Sequence, residues 1–497
     1  MKYYLKILLH IWIFLLISSF SIGQENLSDK PNILFIAIDD LNDWTGFMGG
    51  HPQAKTPNID RLAKKGIAFT KAYSSAPLCN PARISLLTGI LPSNSGVYGN
   101  AELNFRDRIP GVTTIMEYLK RFDYKTIGGG KIFHGFNTIG DSISWDYYHK
   151  ITRASRIKGK IISNGKNKFD GRDSNLPFPS LFRWGPLDIE DKEMPDVKLV
   201  NWAISMLNKK HSKPFFLAVG LTKPHMPWYV PRKYFEKFPL NEIILPQTIQ
   251  NDIDDLPPFG KKLAKEIYIP SSGENYNISG DVEHTRVLNS NQWKKGVQGY
   301  LATINFADKY VGRLLDALDK SNYFENTIVI LWGDHGWHLG EKEHWRKHAL
   351  WEDSTRTPLI IYYPKKIQNG STISQPISFI DLYPTIVEMC GLPKKENIDG
   401  VSFLPLLKNP NQEWNKPVLI TLGKGNHAIR TKRWRYIQYF DGTNELYDHN
   451  LDPNEWNNIS GLEENKNTIL ELRKSIPKTE KTQSYNHTTS PSKVVKI

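Results

Sequence analysis

The stretch Asn32-Ile33-Leu34-Phe35-Ile36-Ala37-Ile38-Asp39-Asp40 decides the fold. From Ile33 to Ile38 every residue is apolar, with none of the alternation of a half-exposed strand, so the strand it forms must be covered on both faces, as at the centre of a parallel sheet. Two adjacent carboxylates end it. Buried together they lose solvation at once, a cost that a bound cation offsets and a solvent-facing turn avoids. Both readings stand on this stretch alone.

Outward from it, residues 57–65 read as a helix with Pro57 in the first position and Gly66 as the stop, and a second helix runs from about 81 to 87, with Gly89 after it. Strands are expected at 215–219 and 327–332. The latter is preceded by a long amphipathic helix, 297–318, and runs into Gly333-Asp334-His335-Gly336. Strands alternating with helices predict an α/β fold, with a large, mainly parallel sheet flanked by helices. Ligands of such sheets gather at the C-terminal strand ends, where both Asp39-Asp40 and Asp334-His335 lie. After Gly400 the pieces shorten to 418–421, 427–430 and 435–440, which predicts a small antiparallel sheet.

The organisation expected is a leader at 1–23, a catalytic domain at 24–400, a C-terminal subdomain at 401–476 and a disordered tail at 477–497, rich in Lys, Ser and Thr. Lys2 and Lys6 precede an apolar run over 7–20, and Ser21 and Gly23 are small. This pattern predicts export with cleavage after about Gly23, a secreted or periplasmic product and no stable membrane anchor, the run being short for a span. The chain has 497 residues, 39% of them apolar, enough for a sizeable core. Its formal charge is +13. Without a nucleic-acid motif this points away from nucleic acid and towards acidic polysaccharide, or else to solvated lysines. The Lys- and Gly-rich stretch 153–168 is expected as an exposed basic loop.

Only two cysteines are present. Cys390 ends an amphipathic run, 382–389, and reads as a packing residue. Cys79 stands among Pro77, Asn80 and Pro81 just before the expected helix start, where unpaired N–H groups lower a thiol pKa and attract sulfate or phosphate, and Arg83 adds a fixed cation. A lone Cys before Pro is also a common packing residue. Three basic pairs follow: Lys131 with His134, Lys223 with His225, and Lys347 beside His348. Histidine moves a proton near neutral pH and lysine stabilises an oxyanion, although each pair taken singly also suits a protein surface.

Cys79-Asn80-Pro81-Ala82-Arg83 followed by Leu86-Leu87-Thr88-Gly89 resembles the signature of type I sulfatases, in which the Cys of C-x-P-x-R becomes formylglycine. The resemblance extends through Gly130-Lys131 with His134, Lys223-Pro224-His225, Asp334-His335-Gly336, Gly340-Glu341, Glu445-Leu446-Tyr447-Asp448 and Asp452-Pro453. The spacing of Lys131 and His134, and Asp334-His335, look most like the iduronate-2-sulfatase branch. The resemblance implies an alkaline-phosphatase-like sulfatase fold. It also implies one Ca2+ ion bound by Asp39, Asp40, Asp334, His335 and the modified Cys79, and a formylglycine-generating maturation enzyme as partner. By the same resemblance, Arg83 holds the formylglycine, and Lys131, Lys223 and Lys347 neutralise sulfate oxygens. His225 protonates the leaving sugar oxygen, and His134 serves as base. The substrate implied is a sulfated, uronic-acid-containing polysaccharide of ulvan or glycosaminoglycan type. Trp228, Tyr229, Trp337, His338, His344 and Trp345 are expected to shape its pocket, with core packing as the alternative. Two other activities fit the motifs: a phosphate or phosphonate monoester hydrolase on the same scaffold, and a non-catalytic binder of sulfated glycan.

Overall fold

The computed structural model describes residues 30–102, 104–135, 140–150, 183–265, 267–269, 274–276, 283–364 and 366–482. The expected leader, the basic stretch 153–168 and residues 483–497 of the expected tail lie outside the described residues.

Strand β1 (Asn32–Ile38) has the expected bounds and is buried along its whole length. Helix α1 (Pro57–Lys65) starts on its proline and leads into β2 (Ile67–Phe69). Helix α2 (Cys79–Thr88) begins two residues earlier than expected, and Gly89 closes it at φ 72°. Pro81 permits the earlier start, because an N–H in the first turn has no intrahelical acceptor to lose. Along the chain follow α3 (Ile115–Arg121), β3 (Lys125–Gly130), β4 (Tyr147–His149), α4 (Pro195–Leu207) and β5 (Phe215–Leu221). Beyond them come α5 (Trp293–Asp319), β6 (Thr327–Gly333), β7 (Leu359–Tyr362), β8 (Ser371–Ile373) and α6 (Leu382–Met389).

These eight strands form one sheet in the order β8-β2-β7-β6-β1-β5-β3-β4. Strand β7 runs antiparallel to both neighbours, and the other pairings are parallel. Because side chains alternate across a strand, Leu34, Ile36 and Ile38 pack with α4 and α5, while Ile33, Phe35 and Ala37 pack with α2, α3 and α6. The apolar run of β1 is thus the seam between two cores.

Strand β3, Lys-Thr-Ile-Gly-Gly-Gly, has little strand propensity of its own. Its glycines are used for close approach: a Cβ on Gly130 would lie 2.1 Å from the Gly220 carbonyl oxygen, and one on Gly220 2.3 Å from the Lys131 backbone. The absent side chains let Lys131 N–H donate to Gly220 O at 2.8 Å and bring that lysine beside β1 and β5.

The C-terminal part is a four-stranded antiparallel sheet, β9 (Val418–Thr421), β10 (His427–Arg430), β11 (Trp434–Gln438) and β12 (Asn444–Asp448), in chain order. Residues 480–482, inside the stretch expected to be disordered, are bonded to the body. Lys481 N donates to Ser93 O at 2.8 Å, Tyr98 Oη donates to Lys481 O at 3.0 Å, and Glu480 pairs with His427 at 3.3 Å. Among the described residues, no helix is long and apolar enough to cross a membrane.

Candidate active site

Strands β6, β1, β5 and β3 are consecutive neighbours and all parallel, so their C-terminal ends open on one edge. Those ends carry, in that order, Asp334-His335, Asp39-Asp40, Lys223 with His225, and Lys131 with His134. The backbone ladder continues into the acids: Asp39 N donates to Leu221 O at 3.2 Å and Asp334 N to Ile38 O at 3.3 Å. Asp40 then turns the chain at φ 59°, a left-handed conformation that Asp tolerates better than most residues. Tyr300 of α5 holds this turn, donating to Asp40 O at 2.7 Å and accepting from Asn42 N at 3.0 Å.

The start of α2 brings Cys79 over these ends, fully buried. Its sulfur lies 3.0 Å from Lys347 Nζ, 3.3 Å from His335 Nε2, 3.6 Å from Lys131 Nζ and 3.9 Å from Asp40 Oδ1. Burial by itself raises the thiol pKa. Lys131, Lys347 and His335, with a hydrogen bond from His134, overcome this and hold it well below its ordinary value. One turn further along the helix, Arg83 faces the acids. It pairs with Asp334 at 2.9 Å and Asp39 at 3.0 Å, and donates to Ile132 O at 3.1 Å and to Lys131 O. In this structure the Arg83 side chain ties strand ends together and makes no hydrogen bond to the Cys79 side chain.

Three carboxylates, Asp39, Asp40 and Asp334, meet three fixed cations, Arg83, Lys131 and Lys347, and they are not equally served. Burial raises the pKa of Asp39, but Lys131 and Arg83 more than reverse this, and its carboxyl sits below the ordinary range. Asp40 stays raised by burial despite Lys347 at 2.7 Å, and burial pushes Asp334 up to about 7. Asp40 Oδ2 is buried without a hydrogen-bond partner. The ligand atoms of Asp40, Cys79, Asp334 and His335 lie within 4.8 Å of one another, as do those of Asp39, Asp40 and His225. His335 Nδ1 faces Gly336 O at 3.0 Å, which leaves Nε2 turned inwards. An oxygen-rich donor set with one orphaned carboxylate oxygen fits a divalent cation.

His225 stands at the mouth, its side chain 14% exposed, with Nε2 3.8 Å from Asp40 Oδ2 and Nδ1 2.5 Å from Met226 O. Burial, with Lys131 next, depresses its pKa well below the ordinary value. Lys223 does not reach Cys79. Its ammonium donates to His225 O at 3.1 Å and to Pro227 O, and burial lowers its pKa to about 8. Asp196 of α4, which no sequence motif marked, accepts from Thr222 N at 3.1 Å and Lys223 N at 2.9 Å and anchors this loop.

A family model described as Sulfatase matches residues 31–392, and one described as N-sulphoglucosamine sulphohydrolase, C-terminal, matches 340–482. The chain belongs to the sulfatase family. A sulfatase of Formosa agariphila is 37% identical over 93% of this chain and 90% of its own length. Human iduronate 2-sulfatase is 32% identical over 75% of this chain and 67% of its own. The phosphonate monoester hydrolase of Agrobacterium radiobacter superposes with a TM-score of 0.70 at 20% identity, covering 90% of this chain and 94% of its own, a likeness of fold alone. Solved sulfatase structures share that alkaline-phosphatase-like fold. As a sulfatase, the chain is a sulfuric ester hydrolase.

Of the two readings of the aromatic residues, core packing holds, and Trp337 also faces the site, with Lys347 Nζ 5.4 Å from its ring centroid. Trp228, Tyr229, Trp337 and Trp345 belong to the core packed on α5, and His338 and His344 are buried beside them. Trp184, stacked on Trp228 and Trp345 at centroid distances of 5.7 and 6.0 Å, explains this: a tryptophan cluster needs mutual burial. A separate cavity of about 430 Å3 lies where the C-terminal sheet meets the main body, lined by Asp43, Trp351, Glu352, Arg430, His449 and Glu455 among others. Its Glu352, His449 and Glu455 lie close enough to ligate a cation. Their atoms are already engaged, Glu352 by Arg430 and Arg435, and Glu455 by Arg435 and His449.

Proposed function

We propose that this sulfatase removes sulfate from a sulfated, uronic-acid-containing polysaccharide or its oligosaccharides, of ulvan or glycosaminoglycan type, through a formylglycine made from Cys79. The observation that carries the reading is Cys79 itself, buried at a helix start between two ammonium groups and a carboxylate cluster, in a sequence with the C-x-P-x-R pattern. The relatives point to the substrate class: one is an iduronate 2-sulfatase, and an ulvan-active sulfatase of Formosa agariphila is 28% identical over 92% of this chain.

In this reading Asp39, Asp40, Asp334, His335 and residue 79 hold one Ca2+ ion. Bound there, the ion supplies positive charge that favours an ionised nucleophile and an incoming sulfate. A hydrated aldehyde at residue 79 offers two hydroxyls, one to attack sulfur and one to lose a proton so that sulfate departs by C–O cleavage. Lys131 and Lys347 face that position and neutralise sulfate oxygens. Lys223 adds charge at one remove, through the loop it braces. Burial and Lys131 disfavour the imidazolium form of His225. An anionic ester raises its pKa, so substrate itself arms the acid that protonates the departing sugar oxygen. His134, bonded to the Cys79 side chain, takes the proton of the second hydroxyl. Arg83 fixes the acids beneath. The enzyme is exported after cleavage near Gly23, has its catalytic domain at 24–400 and its subdomain at 401–476, and depends on a formylglycine-generating enzyme.

Mass spectrometry of the Cys79 peptide from active protein tests the chemistry: formylglycine is expected, and full activity with an intact thiol overturns it. A desulfation screen over defined sulfated oligosaccharides, with matched aryl sulfate and aryl phosphate esters, tests the substrate. Faster phosphate release would return the reading to a phosphate or phosphonate hydrolase.

A further inference from the structure

Lys347 reaches Cys79 from an unusual piece of backbone. The residues on either side of it, Arg346 and His348, both have left-handed φ, 78° and 77°, although neither is glycine. Such residues cost energy that the surroundings must repay, and two of them flanking one functional side chain mark a segment held in place from outside. The outside restraints are specific. Arg346 is fixed by Glu283 at 2.7–3.1 Å, and Trp345 Nε1 donates to His284 Nδ1 at 3.0 Å. His348 N donates to Pro77 O at 3.3 Å, two residues before Cys79.

The peptide of Lys347 itself is met by one side chain. His344, 3% exposed, faces Lys347 O with Nε2 at 2.9 Å and Ala264 O with Nδ1 at 3.1 Å, spanning from the helix Pro258–Lys265 to the strained segment. We propose that His344 is a positioning residue: by donating from Nε2 to the Lys347 carbonyl, it holds the peptide orientation that places the Lys347 ammonium 3.0 Å from residue 79. It touches neither the reacting sulfur nor the carboxylates, and the inference rests on the reading that Lys347 acts on sulfate at residue 79.

Two amide variants separate its two contacts. The terminal N–H2 of Gln sits near the place of Nε2 and can donate to Lys347 O, whereas that of Asn sits near Nδ1 and can donate only to Ala264 O. In full-length protein, with residue-79 modification measured by mass spectrometry and activity expressed per modified, folded molecule, H344A is expected to lower kcat by about 10²-fold while KM stays within a few fold, the usual effect of displacing a catalytic group by an ångström. H344Q recovers most of that loss and H344N does not. H344A added to K347A costs nothing further, because the lysine it positions is gone. If H344A fails to fold, H344Q against H344N decides. Rescue by Asn and not Gln, equal rescue by both, no rescue by either, or losses from H344A and K347A that multiply would each overturn the inference. Full activity of K347A would instead overturn the reading beneath it.

Discussion

Two clusters of buried charge can be set side by side, one around Cys79 and one where Glu352 and Glu455 meet the C-terminal sheet. In the second, every carboxylate oxygen is answered. Glu352 Oε2 takes Arg430 Nε at 3.0 Å and also Arg435, and Oε1 takes the Tyr73 hydroxyl at 2.8 Å. Glu455 Oε1 pairs with Arg435 at 2.5 Å and His449 at 2.8 Å, while Oε2 accepts from Glu352 N at 2.9 Å. Burial raises both carboxyls, but the arginines and His449 win, and both sit below their ordinary 4.5. Around Cys79 the balance tips the other way for two of the three acids: Asp40 and Asp334 remain raised, and Asp40 Oδ2 has no hydrogen-bond partner, His225 Nε2 standing 3.8 Å away. Guanidinium groups saturate a structural cluster. The site cluster has one arginine, Arg83, under Asp39 and Asp334, keeps an Asp40 oxygen in reserve, and turns the ammonium groups of Lys131 and Lys347 towards residue 79.

The two clusters should respond differently to mutation. The largest expected effect is that of Cys79→Ala, which should reduce sulfate release by about 10⁴-fold or more while the thermal midpoint stays within a few degrees. Sulfate release and a melting curve measure both. Glu352→Gln should do the reverse: it leaves Arg430 and Arg435 buried with a partner lost, at about 3–5 kcal/mol in urea unfolding, with activity per folded molecule nearly kept. The same cluster predicts an acid limb. Because the folded pKa values of Glu352 and Glu455 lie below the unfolded ones, their stabilisation is complete above pH 4.5 and drains as pH falls through the folded values. Unfolding midpoints in that range should fall more steeply for the wild type than for Glu352→Gln. The smallest effect concerns metal: one divalent ion per chain is expected, stabilising by about 2.7 kcal/mol at a hundredfold excess over Kd. Asp40→Asn should abolish that shift and Glu455→Gln leave the metal count unchanged, read by metal analysis and thermal shift. A second ion lost with Glu455→Gln would erase the distinction.

Much of this was legible from local signals. The apolar run of β1, the proline start of α1, the amphipathic α6 and two strands of the C-terminal sheet have the expected bounds, because each is dictated by its own residues. Strand β3 was not legible. Its Gly128, Gly129 and Gly130 are strand residues because they pair with β5 and β4, and glycines because Trp145, Trp202 and the Gly220 carbonyl leave no room for a Cβ, reasons written elsewhere in the chain. The site divides in the same way. Residue types and spacing marked Cys79 and the acids, but not the aim of the long side chains. Arg83 ends on carboxylates 44 and 251 residues away, Asp39 and Asp334, whereas Lys223 turns back on carbonyls two and four residues on, those of His225 and Pro227. For the aromatic residues the sequence left pocket and core packing both open, because Trp184, the partner that draws them into the core, carries no motif.

Arg83 has a consequence beyond its charge. One guanidinium on α2 is bonded at once to residues at the ends of β1 and β6 and to the backbone following β3. The helix cannot fray without releasing three strand ends, and none of those ends can loosen while the helix is docked. Hydrogen exchange at the amides of α2, β1 and β6 is therefore expected to report one shared opening, so that the catalytic centre is lost together with the core and not ahead of it.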